Sequence, residues 1–131
     1  MKNILTSICS ILFTLSSYSQ QDSAIGPHQG HLVRAGEYHI ELLGCNDYME
    51  IYVFDKDMGP IHNYGMTGDV KFYYTGETYL SSPLSYYGND GFTAKIASTN
   101  FIYCRVSLDV FGKFINAKYE NECILGGGIK N

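Results

Sequence analysis

The sequence predicts an all-β fold, a two-sheet antiparallel sandwich of about seven or eight strands with an immunoglobulin-like look. Apolar and polar residues alternate with a period of two along most of the chain. Turn-forming residues interrupt these runs at intervals of about eight to twelve residues, which is typical of sandwiches. No stretch shows a sustained 3.6-residue period with caps, so we expect no substantial helix.

The first strong pair of strands is a hairpin. Residues 38–43 and 48–54 alternate regularly, and the four residues between them are turn formers. Met49 shares its face with Ile51 and Val53, so its side chain is predicted to point inward.

The middle of the chain continues the same pattern. Residues 68–76 place Val70, Phe72 and Tyr74 on one face. The next run is a weaker strand, which Pro83 confines to a sheet edge or a bulge.

A second hairpin is predicted near the C-terminus, with a Gly112-Lys113 turn of type II′. With that turn, Cys104 lies opposite Asn121 on the neighbouring strand. The predicted inward set of the first strand is Ile102, Cys104, Val106, Leu108 and Val110.

The predicted organisation is a signal peptide at 1–19, a linker at 20–30, one sandwich domain at 31–124 and a loose tail at 125–131. Lys2 followed by a short apolar run and small residues is typical of an export signal. We therefore expect a periplasmic or secreted protein, and no segment is long and apolar enough to span a bilayer.

The net charge of the chain limits the classes of partner that it can bind. Thirteen acidic against nine basic residues give a formal net charge of −4, and no basic cluster is present. We therefore expect no nucleic-acid partner, because binding to phosphates needs clustered cations.

Three cysteines follow the predicted signal: Cys45, Cys104 and Cys123. Export favours a disulfide between Cys104 and Cys123. Two buried thiols or a metal role are the alternatives, and Cys45 is the odd thiol.

All four histidines lie between residues 28 and 62, and this is the main functional signal. Imidazole nitrogens bind transition metals at about 2.0–2.1 Å. The glycine-flanked loop can bring His28 and His31 together, and His39 shares a strand face with Glu41. His62 joins them if its segment lies beside the same strand, and otherwise all four are ordinary polar side chains.

Methionines in the same half of the chain suggest which metal. Met58 and Met66 lie in turn-like contexts, and thioether sulfur favours Cu(I). The candidate metal ligands are His28, His31, His39, His62, Met58 and Met66, with Glu41 orienting an imidazole.

A non-metal alternative rests on the tyrosines between Tyr73 and Tyr103. In this interpretation a secreted sandwich binds a protein or glycan through a face that includes Tyr79, Tyr86 and Tyr87. No nucleophile, acid and base constellation is recognisable, so we do not expect an enzyme.

Three segments carry a resemblance to a known family: "GPHQGHLVRAGEYHIELL", "EIYVFDKDMGPI" and "MTGDVKF". Together they resemble small exported proteins associated with heavy-metal and copper efflux systems, and a related module of periplasmic adaptor subunits of such pumps. The matching positions are His28, Gly30, His39, Glu41, Asp55, Thr67 and Gly68. Gln29 and His31 depart from the family pattern. The resemblance implies an exported protein that buffers a metal ion or delivers it to an efflux component.

Overall fold

The computed structural model describes residues 24–121, which form ten β-strands and one short 3-10 helix at Thr75–Glu77. The strands are β1 (Ala24–Ile25), β2 (His31–Ala35), β3 (Tyr38–Gly44), β4 (Tyr48–Phe54), β5 (Thr67–Tyr73), β6 (Tyr79–Pro83), β7 (Ser85–Tyr87), β8 (Gly91–Lys95), β9 (Tyr103–Val110) and β10 (Lys113–Glu120). The predicted signal peptide, the tail and Cys123 lie outside the described residues.

The strands form two antiparallel sheets, which confirms the predicted all-β sandwich. The six-stranded sheet has the order β1-β2-β3-β4-β8-β7, and the four-stranded sheet has the order β10-β9-β5-β6. The strand count exceeds the prediction partly because β1 and β7 contain only two and three residues. The segment predicted as a linker contains β1, which pairs with β2.

The core lies between the inner faces of the two sheets, where the inward residues of β2, β3, β4, β5, β8, β9 and β10 are buried. Met49 is fully buried there, as its parity predicts. Phe72 and Phe101 meet edge to face with ring centroids 5.0 Å apart. Tyr119 crosses the core, and its hydroxyl donates a 2.7 Å hydrogen bond to the carbonyl of Ile40, which ties one sheet to the other.

The first predicted hairpin is confirmed by the pairing of β3 with β4. The prediction for Pro83 is also confirmed, because β6 is an edge strand of the four-stranded sheet. An edge accommodates proline, which has no N–H to donate to a neighbouring strand.

The register predicted for the second hairpin is wrong. Val110 pairs with Lys113, so the two-residue turn is Phe111-Gly112, and Cys104 faces Tyr119 rather than Asn121. Both turn residues have positive φ, 53° and 92°, which corresponds to a type I′ turn instead of type II′.

Most of the predicted inward set of this strand is buried. Cys104, Val106, Leu108 and Val110 are at most 2% exposed. Ile102 is 48% exposed, because it precedes the first residue of β9 and does not take part in the alternation.

Within residues 24–121, no helix has the length and apolar character needed to cross a membrane.

Candidate functional site

The start of the histidine stretch folds over the outer face of the six-stranded sheet, around the buried carboxylate of Glu41. This side chain is fully buried. Its Oε2 accepts hydrogen bonds from the backbone N–H groups of His28 and Gly30, both 2.8 Å, and its Oε1 accepts one from His28 Nδ1, also 2.8 Å. Three donors to one carboxylate offset the cost of burying it.

The two glycines of this loop are explained by the same carboxylate and by the strand beneath it. A Cβ on Gly26 would overlap the carboxyl group of Glu41. A Cβ on Gly30 would lie 2.6 Å from the carbonyl oxygen of Leu42. The motif Gly-Pro-His-Gln-Gly is therefore the sequence of a loop that fits closely against Glu41 and its strand.

The imidazole of His28 also stacks on an aromatic side chain of the sheet. Its ring lies 3.7 Å from that of Tyr52 at an interplanar angle of 8°, and 6.2 Å from the ring of Phe54. The Tyr52 hydroxyl donates to Glu50 at 2.9 Å. Burial is the main cause that raises the pKa of Tyr52, and this hydrogen bond is the second.

His39 lies on the same outer face, two residues from Glu41 on β3, as predicted. Its Nδ1 donates a 3.3 Å hydrogen bond to the carbonyl of Asp55. The same carbonyl accepts the backbone N–H of Met58 at 3.0 Å. His39 and the Met58 turn are thus neighbours.

The other three candidate ligands lie elsewhere. His31 pairs with Leu42 and shares its strand face with buried Val33, so it belongs to the opposite face of the sheet from His39. His62 is exposed in a loop, where its Nδ1 donates to the carbonyl of Asn89 at 3.3 Å. Met66 is 1% exposed in the core.

The six candidates therefore do not share one pocket. Among residues 24–121, no group of three or more histidine, cysteine, aspartate or glutamate side chains is placed to hold a metal ion. The geometry brings His28 and Glu41 together and places His39 on the same face of the sheet.

A second candidate site lies on the outer face of the four-stranded sheet. Tyr79, Tyr73 and Tyr103 occupy equivalent positions on β6, β5 and β9, because Tyr73 pairs with both of the others. We call these three side chains the tyrosine row. The rings of Tyr73 and Tyr103 are stacked, 4.6 Å apart at 12°, and those of Tyr73 and Tyr79 are 5.5 Å apart at 44°.

A row of polar and basic side chains runs beside the tyrosine row. Ser81, Lys71, Arg105 and Lys118 pair in that order across β6, β5, β9 and β10. The Lys118 ammonium lies 4.5 Å from the ring centroid of Tyr103, and that of Lys71 lies 5.8 Å from Tyr79. We call these four side chains the polar row.

Carboxylates on the same face balance these cations. Asp69 lies 3.3 Å from the Lys71 ammonium, and Glu120 lies 3.7 Å from that of Lys118. Asp109 alternates with the buried residues of β9 and so also faces outward. The face therefore carries three carboxylates and three cations, of which two pairs are in contact, while Asp109 accepts a hydrogen bond from the backbone N–H of Gly112.

The two cysteines among the described residues are free thiols. Burial raises the pKa of Cys104 to about 12, so its thiol is neutral at physiological pH. Burial also raises the pKa of the more accessible Cys45. Neither has the lowered pKa of a reactive cysteine.

Comparison of the chain with family models, curated proteins and solved structures finds no match.

The tyrosine row was only partly anticipated from sequence. The prediction grouped Tyr79 with Tyr86 and Tyr87, but the last two lie on β7 in the other sheet. Tyr73 and Tyr103 were named as the ends of the tyrosine-rich segment but were not grouped with Tyr79. Alternation along residues 68–76 predicted that Tyr73 lies on the face opposite Val70 and Phe72, and the burial of those two residues confirms it. Pairing Tyr73 with Tyr79 required the register of the β5–β6 hairpin.

Proposed function

We propose that this chain is an exported carbohydrate-binding module that takes a neutral glycan on the outer face of its four-stranded sheet. The observation that carries the proposal is the tyrosine row, three aromatic side chains in register across adjacent strands and bordered by the polar row. The module has no catalytic role in this proposal.

Tyrosine suits a sugar because it combines an apolar ring with a hydroxyl group. Tyr79 lies on an edge strand and is 52% exposed, and the part of its ring that the Lys71 ammonium does not cover can contact the apolar C–H face of a pyranose. In the adjoining row, the Ser81 hydroxyl donates to Asp69 and can accept from a sugar hydroxyl, and Arg105 donates to Asn116 and has further N–H groups to donate. The tyrosine row crosses three strands, a length of about 10 Å, which suits a short stretch of a linear chain.

The balance of charge favours a neutral ligand over an acidic one. Lys71 and Lys118 are each paired with a carboxylate on the same face. A polyanion would meet as many like charges as opposite ones, whereas sugar hydroxyls both donate to carboxylates and accept from cations.

A protein partner fits this face less well. Protein interfaces are enriched in tyrosine and arginine, which this face also has, but their centres are depleted of lysine, aspartate and glutamate. The outward positions of β5, β6, β9 and β10 carry no leucine, isoleucine, valine or methionine, and charged side chains lie directly beside the tyrosines. Phe114, which is 81% exposed, lies on this face at the β9–β10 turn, away from the tyrosine row.

Affinity electrophoresis in gels containing neutral or acidic polysaccharides tests the proposal. We expect retardation in at least one neutral gel, from a set comprising xyloglucan, glucomannan, laminarin and dextran, and none in polygalacturonate or heparin. Replacing Tyr79 or Tyr73 by alanine is expected to weaken binding about tenfold, which corresponds to about 1.4 kcal/mol and is the size of one aromatic contact.

Tyr64→Ala is the matched control, because Tyr64 is 83% exposed in the loop before β5 and lies outside the row. Its retardation should equal that of the wild type. Absence of retardation in every neutral gel, or equal loss in Tyr64→Ala and Tyr79→Ala, would contradict the proposal.

A second candidate function is the handling of a copper ion at His28 and His39. The observation that favours it is the orientation of the two imidazoles, each with Nδ1 bonded to an oxygen, Glu41 for His28 and Asp55 for His39. In the neutral form this leaves Nε2 as the metal-binding atom, and the contact from Glu41 is the kind of support that histidine ligands have. The resemblance to metal-efflux proteins supports the same role.

Competition with a Cu(I) chelator tests this candidate. The double variant His28→Ala, His39→Ala should bind copper less tightly than the wild type, because it lacks both imidazole ligands of the candidate site. The double variant His31→Ala, His62→Ala is the control and should match the wild type, since these histidines lie elsewhere. Equal affinity for Cu(I) in all three proteins would show that His28 and His39 do not bind copper.

A further inference from the structure

A cavity at the edge where the two sheets meet carries a second inference. It has a volume of about 490 Å³ and lies where the chain passes from β6 to β7, beside β8 and the turn before β4. This is within the range of small-molecule sites. The lining residues that matter here are Asp47, Tyr48, Ser85, Thr93, Lys95 and Pro83.

The walls of the cavity combine two kinds of surface. Tyr48, which is 38% exposed, and Pro83 provide apolar ring surfaces. Ser85 and Thr93 are cross-strand partners and bring two hydroxyl groups side by side. Tyr48 and Lys95 are also cross-strand partners, so an aromatic ring and an ammonium group are adjacent.

The charged groups at the cavity have opposite sign. Asp47 offers a carboxylate and Lys95 an ammonium group, so the site carries no net charge from this pair. A ligand with an apolar face and several hydroxyls matches such a rim, because its hydroxyls donate to the carboxylate and accept from the ammonium group.

We infer that this cavity binds one pyranose unit, with the sugar ring against Tyr48 and its hydroxyls bonded to Ser85, Thr93, Lys95 and Asp47. The site is separate from the tyrosine row, because these polar groups come from β7, β8 and the turn before β4, and the part of β6 that lines the cavity, Ser82 and Pro83, lies at the opposite end of that strand from Tyr79. The choice of a sugar as the ligand class rests on the proposed function. With both sites occupied, one molecule holds two positions of a glycan network, which increases avidity without new contacts at either site.

Backbone amide NMR of the labelled protein tests the inference with three probes: the methyl glycosides of glucose, galactose and mannose. With at least one of them we expect millimolar binding and shifts at the amides of Tyr48, Thr93 and Lys95. The Ser85→Trp variant fills the cavity from an exposed edge position and should abolish these shifts. Arg34→Trp, exposed on β2 of the same sheet, is the control and should preserve them.

Tyr79→Ala separates this inference from the proposed function. It removes a ring of the tyrosine row and should leave the cavity shifts unchanged. If no probe shifts the three amides, or if the shifts persist in Ser85→Trp, the cavity inference is wrong whatever happens at the tyrosine row. If the cavity shifts remain while neutral polysaccharides fail to bind the tyrosine row, the proposed function fails and the cavity site stands.

Discussion

Glu41 is the residue that organises the histidine stretch. Its carboxylate is fully buried on the outer face of a sheet and accepts three hydrogen bonds from His28 and Gly30. The loop that covers it also brings the imidazole onto Tyr52. The clustering of histidines in sequence therefore has one structural origin in this loop and unrelated origins for His31 and His62.

Replacing Glu41 by glutamine is expected to lower the free energy of unfolding by about 2–3 kcal/mol. An amide nitrogen cannot accept hydrogen bonds, so at least one donor from the loop is left buried and unpaired, and the remaining bonds lose their charge. Urea unfolding followed by tyrosine fluorescence measures the change.

Glu37→Gln is the matched control, because Glu37 is an exposed glutamate whose contact is a 3.6 Å ion pair with Lys113. Surface pairs of this kind contribute little, so its stability should stay within about 0.5 kcal/mol of the wild type. A Glu41→Gln protein as stable as Glu37→Gln would show that the carboxylate is dispensable.

The sequence predicted the role of Glu41 as an acceptor that orients an imidazole, and the contact with His28 is found. It did not predict which histidine bonds to Glu41, because distance along the chain favours His31 over His28 and the structure chooses His28. The choice depends on the loop fitting around the carboxylate and on the parity of β2, which turns His31 to the other face.

At the scale of elements, the β9–β10 hairpin has an unusual turn residue. Phe111 adopts a φ of 53° and is 62% exposed. Bulky residues are uncommon in this region of backbone space, and its exposed ring offers little packing in return. The strain is tolerated because the eight-residue strands on both sides fix the register.

Phe111→Asn is expected to stabilise the protein by about 0.5–1 kcal/mol, since Asn-Gly is the favoured pair in type I′ turns. Thermal unfolding gives the measurement. Phe114→Asn is the control, because Phe114 is more exposed, at 81%, and lies in a strand, where asparagine brings no such gain. A Phe111→Asn protein that unfolds more easily than the wild type would contradict the turn assignment.

Strands were well predicted because alternation reports directly on burial, as the buried Val70 and Phe72 illustrate. Register was not, because a two-residue turn at 111–112 and one at 112–113 fit the pattern of β9 equally well. A shift of one position changes every cross-strand partner, and it moved Cys104 from Asn121 to Tyr119.

At the scale of the whole molecule, buried weak acids lower the free energy of unfolding at alkaline pH. Burial raises the pKa of Cys104 from 9.0 to about 12 and raises that of Tyr119 well above 10.0. Between pH 9 and 12 the unfolded chain releases the Cys104 proton and the folded chain retains it, so the free energy of unfolding falls as pH rises.

The Cys104→Val variant tests this dependence. Valine keeps an apolar side chain in the core and removes the titrating thiol. Above pH 9, the free energy of unfolding of the variant should therefore fall less steeply than that of the wild type, with a difference in slope of about 1.4 kcal/mol per pH unit. Urea unfolding at a series of pH values from neutral to about 11 provides the comparison. Identical slopes for the two proteins would show that Cys104 does not contribute.

The two-sheet architecture was predictable from the period of the sequence, whereas the candidate site was not. Side-chain parity shows which residues face outward on one strand, but the tyrosine row requires three strands to be neighbours in the order β6-β5-β9. Tyr103 joins Tyr73 through a pairing of strands that are distant in sequence. Local pattern carries no information on that pairing.

The most direct test of the central claim is an NMR titration of the labelled protein with a neutral oligosaccharide. The oligosaccharide is a fragment of the polysaccharide that retards the protein most in affinity electrophoresis, and the measurement is the set of backbone amide signals that shift. The account predicts the largest shifts on β6, β5 and β9, around Tyr79, Tyr73 and Tyr103, with a loss of these shifts in Tyr73→Ala. Saturating shifts confined to other strands, or no shift at all with any of the neutral oligosaccharides, would contradict it.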